Sequence, residues 1–318
     1  MPTLGDRDAP AAPPAGTATV RHAPQVIGGW FDEHRRDLPW RAPDRTPWGV
    51  LVSEVMLQQT PVGRVVPAWS AWLARWPQPA DLAAEAPGEA VRQWGRLGYP
   101  RRALNLHAAA VAIVDGHAGQ VPEAEADLRA LPGVGEYTAA AVRAFAFGRR
   151  SVVLDTNVRR VLARLAEGQQ HPPPSLTVRE RARAEALVPH DDAVAAHWSA
   201  AVMELGALVC TATSPRCPDC PVVGMCAWVR AGRPAYDGPA RRVQRFAGTD
   251  RQVRGRIMAV LRESDGPVER AAIEATWDAA IQRERALDGL VADGLVELVG
   301  ADRFGLPSTR HRDAAAAR

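Results

Sequence analysis

All four cysteines of the 318-residue chain fall within seventeen residues, as Cys210, Cys217, Cys220 and Cys226. Thiolates crowded in this way repel one another unless a soft cation holds them, so the segment folds as a loop around a metal centre. The intervals of six, two and five residues depart from the two Cys-x2-Cys knuckles of a zinc ribbon. A four-iron cluster on four cysteines suits them better, with a structural zinc site as the alternative.

A second constraint is chemical. Every one of the 39 Lys+Arg residues is an arginine, so no side-chain amine exists to form a Schiff base with an opened sugar or a carbonyl. Composition otherwise describes a soluble globular protein, 47% hydrophobic and 24% charged. The net charge of +3 says less about nucleic acid than the clustering of the arginines would. No apolar stretch is long enough to span a bilayer, and residues 1–20 lack the apolar core of a signal peptide. The expectation is a cytoplasmic monomer with no membrane partner, in a reducing compartment where thiolates persist.

Residues 1–20, rich in Pro, Ala and Gly, read as a disordered lead-in. From residue 25 to 229 nearly every segment has helical periodicity broken by Pro and Gly. The spacing predicts helices over 50–57, 65–75, 81–95, 101–115, 123–130, 135–147, 156–166, 178–187 and 193–209. Residues 230–250 read as a linker. A small module over 251–308 then reads helix, helix, helix, hairpin, with helices at 252–263, 268–276 and 278–292. That order is winged-helix-like. A tail at 309–318 is expected to be disordered. The fold class is all-α, with this small α/β module appended.

Between two of the predicted helices lies Leu131-Pro132-Gly133-Val134-Gly135. Glycines here permit a tight hairpin whose backbone N–H groups, with the next helix N-terminus, can grip a phosphate. Twenty residues past Gly135, Asp155 precedes a helical run, where it serves as an N-cap and where the helix dipole favours its anion. Hairpin, aspartate and cysteine set together resemble the endonuclease III superfamily of helix-hairpin-helix DNA glycosylases. Within it, Trp48 to Gln59 (WGVLVSEVMLQQ), Gly98-Tyr99, Asn105-Leu106-His107 and the run from Glu204 to Cys210 resemble the adenine DNA glycosylase (MutY) branch. The resemblance covers residues 25 to 229.

That resemblance implies a two-lobed fold: a six-helix barrel over 46–150, and a lobe from 21–45 and 151–229 closed by a [4Fe-4S] cluster on the four cysteines. It implies double-stranded DNA with a mispaired adenine as partner, opposite 8-oxoguanine or guanine, the base being flipped from the stack. Glu54 would protonate the departing adenine, and its apolar neighbours would raise its pKa. Asp155 would stabilise the cationic sugar or attack it, in the two-carboxylate logic of glycoside hydrolysis, with Asn157 orienting Asp155 or water. Tyr137 stands where bifunctional relatives carry their Schiff-base lysine, so the implied activity is monofunctional. Trp40, Arg41, Leu57 and Glu204 match positions lining the adenine pocket. Gln59 and Tyr99 match residues that wedge into the duplex, and Gly133, Val134 and Gly135 hold its backbone.

Residues 231–318 are too few and too helical for the β-rich C-terminal domain of well-known relatives. Two alternatives remain at this stage: a thymine or uracil mismatch glycosylase of the same superfamily, and a non-catalytic iron–sulfur DNA-binding protein.

Overall fold

Prolines set many of the helix starts. In the computed structural model, which describes Val20, residues 22–239 and residues 246–308, the chain runs through α1 (Ala23–His34), a 3-10 turn (Pro39–Arg41), α2 (Pro47–Leu57), α3 (Val62–Arg75), α4 (Pro79–Ala84), α5 (Pro87–Trp94), α6 (Arg101–Gly116), α7 (Glu125–Ala130) and α8 (Glu136–Phe147). It continues through α9 (Thr156–Glu167), α10 (Val178–Leu187), α11 (Asp192–Leu208) and α12 (Ala227–Arg230). Then come α13 (Asp250–Glu263), β1 (Val268–Glu269), α14 (Arg270–Glu274), α15 (Ala280–Ala292), β2 (Glu297–Val299) and β3 (Arg303–Gly305). The lead-in other than Val20, residues 240–245 of the linker and the tail lie outside the described residues. No helix among the described residues is long and apolar enough to cross a membrane.

Two of the expected helices need correction. The single helix read over 81–95 is two, because Pro87 forces the residue before it out of the helical region, and Ala86 is extended with ψ 144°. The helix read over 268–276 begins instead as a strand. Val268 pairs with Phe304 and Glu269 with Arg303, making a three-stranded antiparallel sheet in the order β1-β3-β2. Only 270–274 is helical.

The chain divides into two compact units, 1–36 with 148–239, and 37–147 with 240–318. Residues 37–45, expected in the cluster lobe, belong instead to the unit holding α2 to α8. That unit is built on tryptophans: Trp72 meets Trp76 edge-on at 4.7 Å and Trp94 at 5.7 Å, all three buried. Its core continues through Val253, Ile257, Met258, Leu290 and Phe304 of the C-terminal module. Polar contacts fix the same docking. Arg92 donates to the carbonyls of Arg262 (2.5 Å) and Ser264 (2.6 Å), and Gly88 N–H to the Pro307 carbonyl at 2.7 Å. In the other unit α1, α9, α11 and α12 enclose Ile27, Phe31, Val161, Leu165, Trp198, Leu205 and Trp228.

Gly88 leaves no room for a side chain against the module, since a Cβ there would stand 2.7 Å from the Pro307 oxygen and 2.9 Å from Leu306 Cβ. Gly88→Ala is expected to destabilise the unit by about 1–3 kcal/mol through overpacking. Gly63→Ala, in α3 with nothing within 4 Å, should stabilise by about 0.5–1 kcal/mol. Urea midpoints of the two variants, which should move in opposite directions, check this.

Candidate active site

Glu54 lies in a helix that is apolar nearly all round. Thr46 caps α2 by accepting from Gly49 N, Pro47 opens it, and Trp48 to Met56 are all buried. A helix of this kind belongs in a core, so its one carboxylate is drawn in with it. Glu54 is 4% exposed, and the Tyr137 hydroxyl donates to its Oε2 at 2.9 Å. Tyr137 is the second residue of α8, so the hairpin that starts α8 also aims the phenol. The pairing of Tyr137 with Glu54 was not visible in the sequence, where the two are 83 residues apart. Trp40 is buried on the 3-10 turn and meets Trp69 edge-on at 5.9 Å. Leu57 packs partly buried on the same core, and Arg41 is half-buried.

Gln59 and Tyr99 share an unusual backbone. They are two of the four non-glycine residues with positive φ among the described residues, at 54° and 49°, and both side chains are exposed. One buried guanidinium holds both turns. Arg102 donates through Nη1 to the carbonyls of Val55 (2.9 Å), Met56 (3.1 Å) and Gln58 (2.6 Å). Through Nη2 it reaches Thr60 Oγ1 (3.1 Å) and the Gly98 carbonyl (2.9 Å). It therefore caps the C-terminus of the helix bearing Glu54 and ties it to the turn bearing Tyr99. Burial lowers its pKa to about 10, which leaves it charged at neutrality. Arg102 was missed in the sequence because an arginine in the first turn of a helix reads as a surface residue.

In the hairpin, Gly133 has φ +76° and a Cβ there would stand 2.6 Å from Asn105 Cβ, so both its conformation and its space demand glycine. Val134 is buried beneath it, while Gly133 and Gly135 are exposed. His107, of the Asn105-Leu106-His107 motif, is buried and contacts the Glu85 carbonyl through Nε2 at 2.9 Å, a structural position.

Asp155 belongs to the other unit. It caps α9, its Oδ1 accepting from Val158 N–H at 2.6 Å and its Oδ2 from the Asn157 amide at 2.7 Å. The helix N-terminus is expected to keep it ionised, but burial acts against this. Burial pushes its pKa up, against the lowering pull of the Val158 and Asn157 hydrogen bonds. Arg160 fixes the amide, donating from Nη2 to Asn157 Oδ1 and the Gly206 carbonyl, each at 2.8 Å, and from Nε to the Cys210 carbonyl at 2.7 Å. Gly206 lets α11 pass this close, since a Cβ there would stand 2.8 Å from Asn157 Cβ. Glu204 is fully buried, and its carboxylate is gripped by Arg36 through main-chain N–H, Nε and Nη2 at 2.9, 2.8 and 2.7 Å. A carboxylate held in this way serves the fold of its own unit, a role the sequence did not suggest.

Cys210, Cys217, Cys220 and Cys226 line a single cavity with Arg164 and Trp228. Burial pushes the Cys210 thiol up and the Cys220 thiol to about 11, so neither is a stable thiolate without a cation. Beside them Arg164, 1% exposed, donates to Cys210 Sγ at 3.3 Å and to the carbonyls of Gln170, Thr211 and Ala212, with its guanidinium 4.8 Å from the Trp228 ring. A buried cation facing four thiols fits an anionic centre. No three His, Cys, Asp or Glu side chains among the described residues converge closely enough for a single ion. Arg216 donates to the Leu208 carbonyl at 2.7 Å and pairs with Asp219 at 3.8 Å.

Residues 52–185 match the HhH-GPD superfamily of base excision DNA repair proteins. The chain is 52% identical over 286 residues to the adenine DNA glycosylase of Mycolicibacterium smegmatis, covering 89% of this chain and 96% of that one. It is 50% identical over 280 residues to the adenine DNA glycosylase of Mycobacterium tuberculosis, covering 87% and 91%. A solved thermostable thymine-DNA glycosylase superposes with a TM-score of 0.61 at 26% identity, over 68% of this chain and 99% of that one. By these matches, the chain belongs to the adenine DNA glycosylases of the HhH-GPD superfamily.

Proposed function

We infer that the protein is a base excision repair enzyme that releases adenine from DNA by hydrolysing its N-glycosyl bond. The observation that carries this reading is the buried Glu54 carboxyl held by the Tyr137 phenol at 2.9 Å, in a chain half identical to adenine DNA glycosylases over most of its length. A proton donor screened from water and fixed in orientation is what a departing purine needs, since a protonated adenine leaves as a neutral base. Asp155 supplies the countercharge to the oxocarbenium-like sugar, its Oδ2 steadied by Asn157. With no lysine in the chain, the reaction ends at base removal and leaves the strand intact.

The substrate is duplex DNA, engaged by one copy of the chain, with adenine opposite 8-oxoguanine or guanine. Gln59 and Tyr99, exposed on strained turns, enter the duplex and offset the cost of unstacking the target base. The exposed glycines of the 131–135 hairpin hold a phosphate. Cys210, Cys217, Cys220 and Cys226 hold a [4Fe-4S] cluster, which orders the loop after α11 when bound.

In single-turnover assays the protein should release adenine from A·8-oxoguanine and A·G duplexes, with strand breaks only after alkali. Release of thymine from T·G would transfer it to the mismatch thymine class. Glu54→Gln should slow excision by about 10²–10⁴-fold at unchanged duplex affinity; an unchanged rate would leave only a binding protein.

Asp155→Asn separates charge from capping, because Asn caps a helix as well as Asp. The folded pKa of Asp155 is raised, so its carboxyl contributes stability when protonated, and that contribution is lost as pH rises through the folded value. The variant should therefore gain thermal stability over wild type at pH 8 but not at pH 4, while losing excision. In the wild type the acid limb of the excision rate should lie above the ordinary carboxylate range. Melting curves at the two pH values and a pH–rate profile check both.

Protein purified without oxygen should contain about four iron and four sulfide per chain, and Cys220→Ser should lose both. Stoichiometric zinc in place of iron would overturn the cluster assignment.

A further inference from the structure

The C-terminal module reaches the exposed Tyr99 ring. Arg251, the second residue of α13, places its guanidinium 4.7 Å from the centroid of that ring and 5.9 Å from the Phe246 ring. Arg102 lies 5.7 Å from the same tyrosine ring. Tyr99 is 45% exposed and Phe246 55% exposed, so the stack stands at the surface. Arg251 has no carboxylate partner among the described residues. It is an exposed cation whose contacts are two aromatic rings.

The turn presenting Arg251 is braced. Asp250 accepts from Arg285 Nε and Nη2 at 2.8 and 2.7 Å and from Gln282 Nε2 at 3.0 Å, and Gln282 also donates to the Gly248 carbonyl. Gln252 Oε1 takes Gly248 N–H at 2.8 Å. Asp293, beyond α15, pairs with Arg254 of α13 and with Arg101, two residues past Tyr99. Together with the Arg92 and Gly88 contacts, these hold the module's first turn against the turn carrying Tyr99.

We propose that Arg251 is a positioning residue for Tyr99. Through it the C-terminal module holds the ring ready to enter the duplex, and residues 246–251 form part of the mispair-recognition surface. An exposed ring ordinarily loses rotamer freedom when it inserts between bases. A guanidinium against one face removes part of that loss in advance, because a planar cation stacks on an aromatic ring while remaining solvated. The inference rests on the reading that Tyr99 enters the duplex.

The test is a double-mutant cycle on Arg251→Ala and Tyr99→Leu in the full-length protein. Binding is measured to duplexes carrying a non-cleavable adenosine analogue opposite 8-oxoguanine and to matched A·T duplexes, across a salt series. Arg251→Ala should weaken mispair binding by about three- to five-fold, the range of an exposed cation–π contact. It should leave matched-duplex binding and the salt dependence unchanged. In the Tyr99→Leu background it should have no further effect.

Equal losses on mispaired and matched duplexes with a shallower salt slope would make Arg251 a phosphate contact and overturn the proposal. Additive losses, or none from Arg251→Ala alone, would also overturn it. If Tyr99→Leu itself leaves mispair binding intact, the reading of Tyr99 fails first and the proposal with it. Melting curves of both single variants separate these outcomes from misfolding, since both side chains are exposed and neither should lower the midpoint.

Discussion

Two turns of the unit holding α2 to α8 carry non-glycine residues in the left-handed region, at Gln59 and Tyr99, and the guanidinium of Arg102 joins them. Such conformations cost about 1–3 kcal/mol each and persist only where their surroundings over-determine them. Arg102 does so by satisfying four backbone carbonyls and the Thr60 hydroxyl. Three of those carbonyls lie at or just past the end of α2, where a helix leaves its last oxygens unpaired. The contact that holds the strained turns therefore also terminates the helix bearing Glu54. Glu54, Gln59 and Tyr99 are placed by one side chain.

That arrangement depends on guanidinium rather than ammonium. Arg92, Arg102, Arg160 and Arg164 each reach two or more main-chain oxygens from one planar group. An ammonium is a point donor, more strongly hydrated, and more easily deprotonated when buried. Burial lowers the pKa of Arg102 to about 10, and it remains charged there. An all-arginine chain thus lacks the amine for lyase chemistry and possesses forks that can be buried. Both consequences favour a site that is rigid and hydrolytic.

The sequence made legible whatever repeats locally. Helical periodicity placed α6, α8, α9 and α10 within a residue or so of their ends, because their caps and breakers (Asp155, Thr177, the glycine hairpin) act over one turn. It failed where a long-range partner decides. Val268 and Glu269 are strand only because Phe304 and Arg303 lie opposite, and nothing in 268–276 announces that. Within the candidate site, Glu54, Asp155 and the cysteines stood out by residue type and spacing. Arg102, Arg160 and Arg251 did not, since arginines on helices are common and their roles come from acceptors tens of residues away. Glu204 shows the converse. Its acidic character stood out, but its partner Arg36, 168 residues earlier, was visible only in three dimensions.

Asp155 combines two demands that ordinarily conflict. As an N-cap it must present one oxygen to its own helix, and Val158 N–H takes Oδ1. In the proposed reaction it must keep an anion where water would otherwise solvate it. Its surroundings compromise: the amide of Asn157 and the helix N-terminus favour the charge, while burial opposes it and prevails. The compromise has a catalytic logic, because only interactions stronger in the transition state than in the ground state accelerate a reaction. A carboxylate fully solvated by donors would gain little when a cationic sugar formed beside it. One whose ionisation is opposed until that cation appears has more to gain from it.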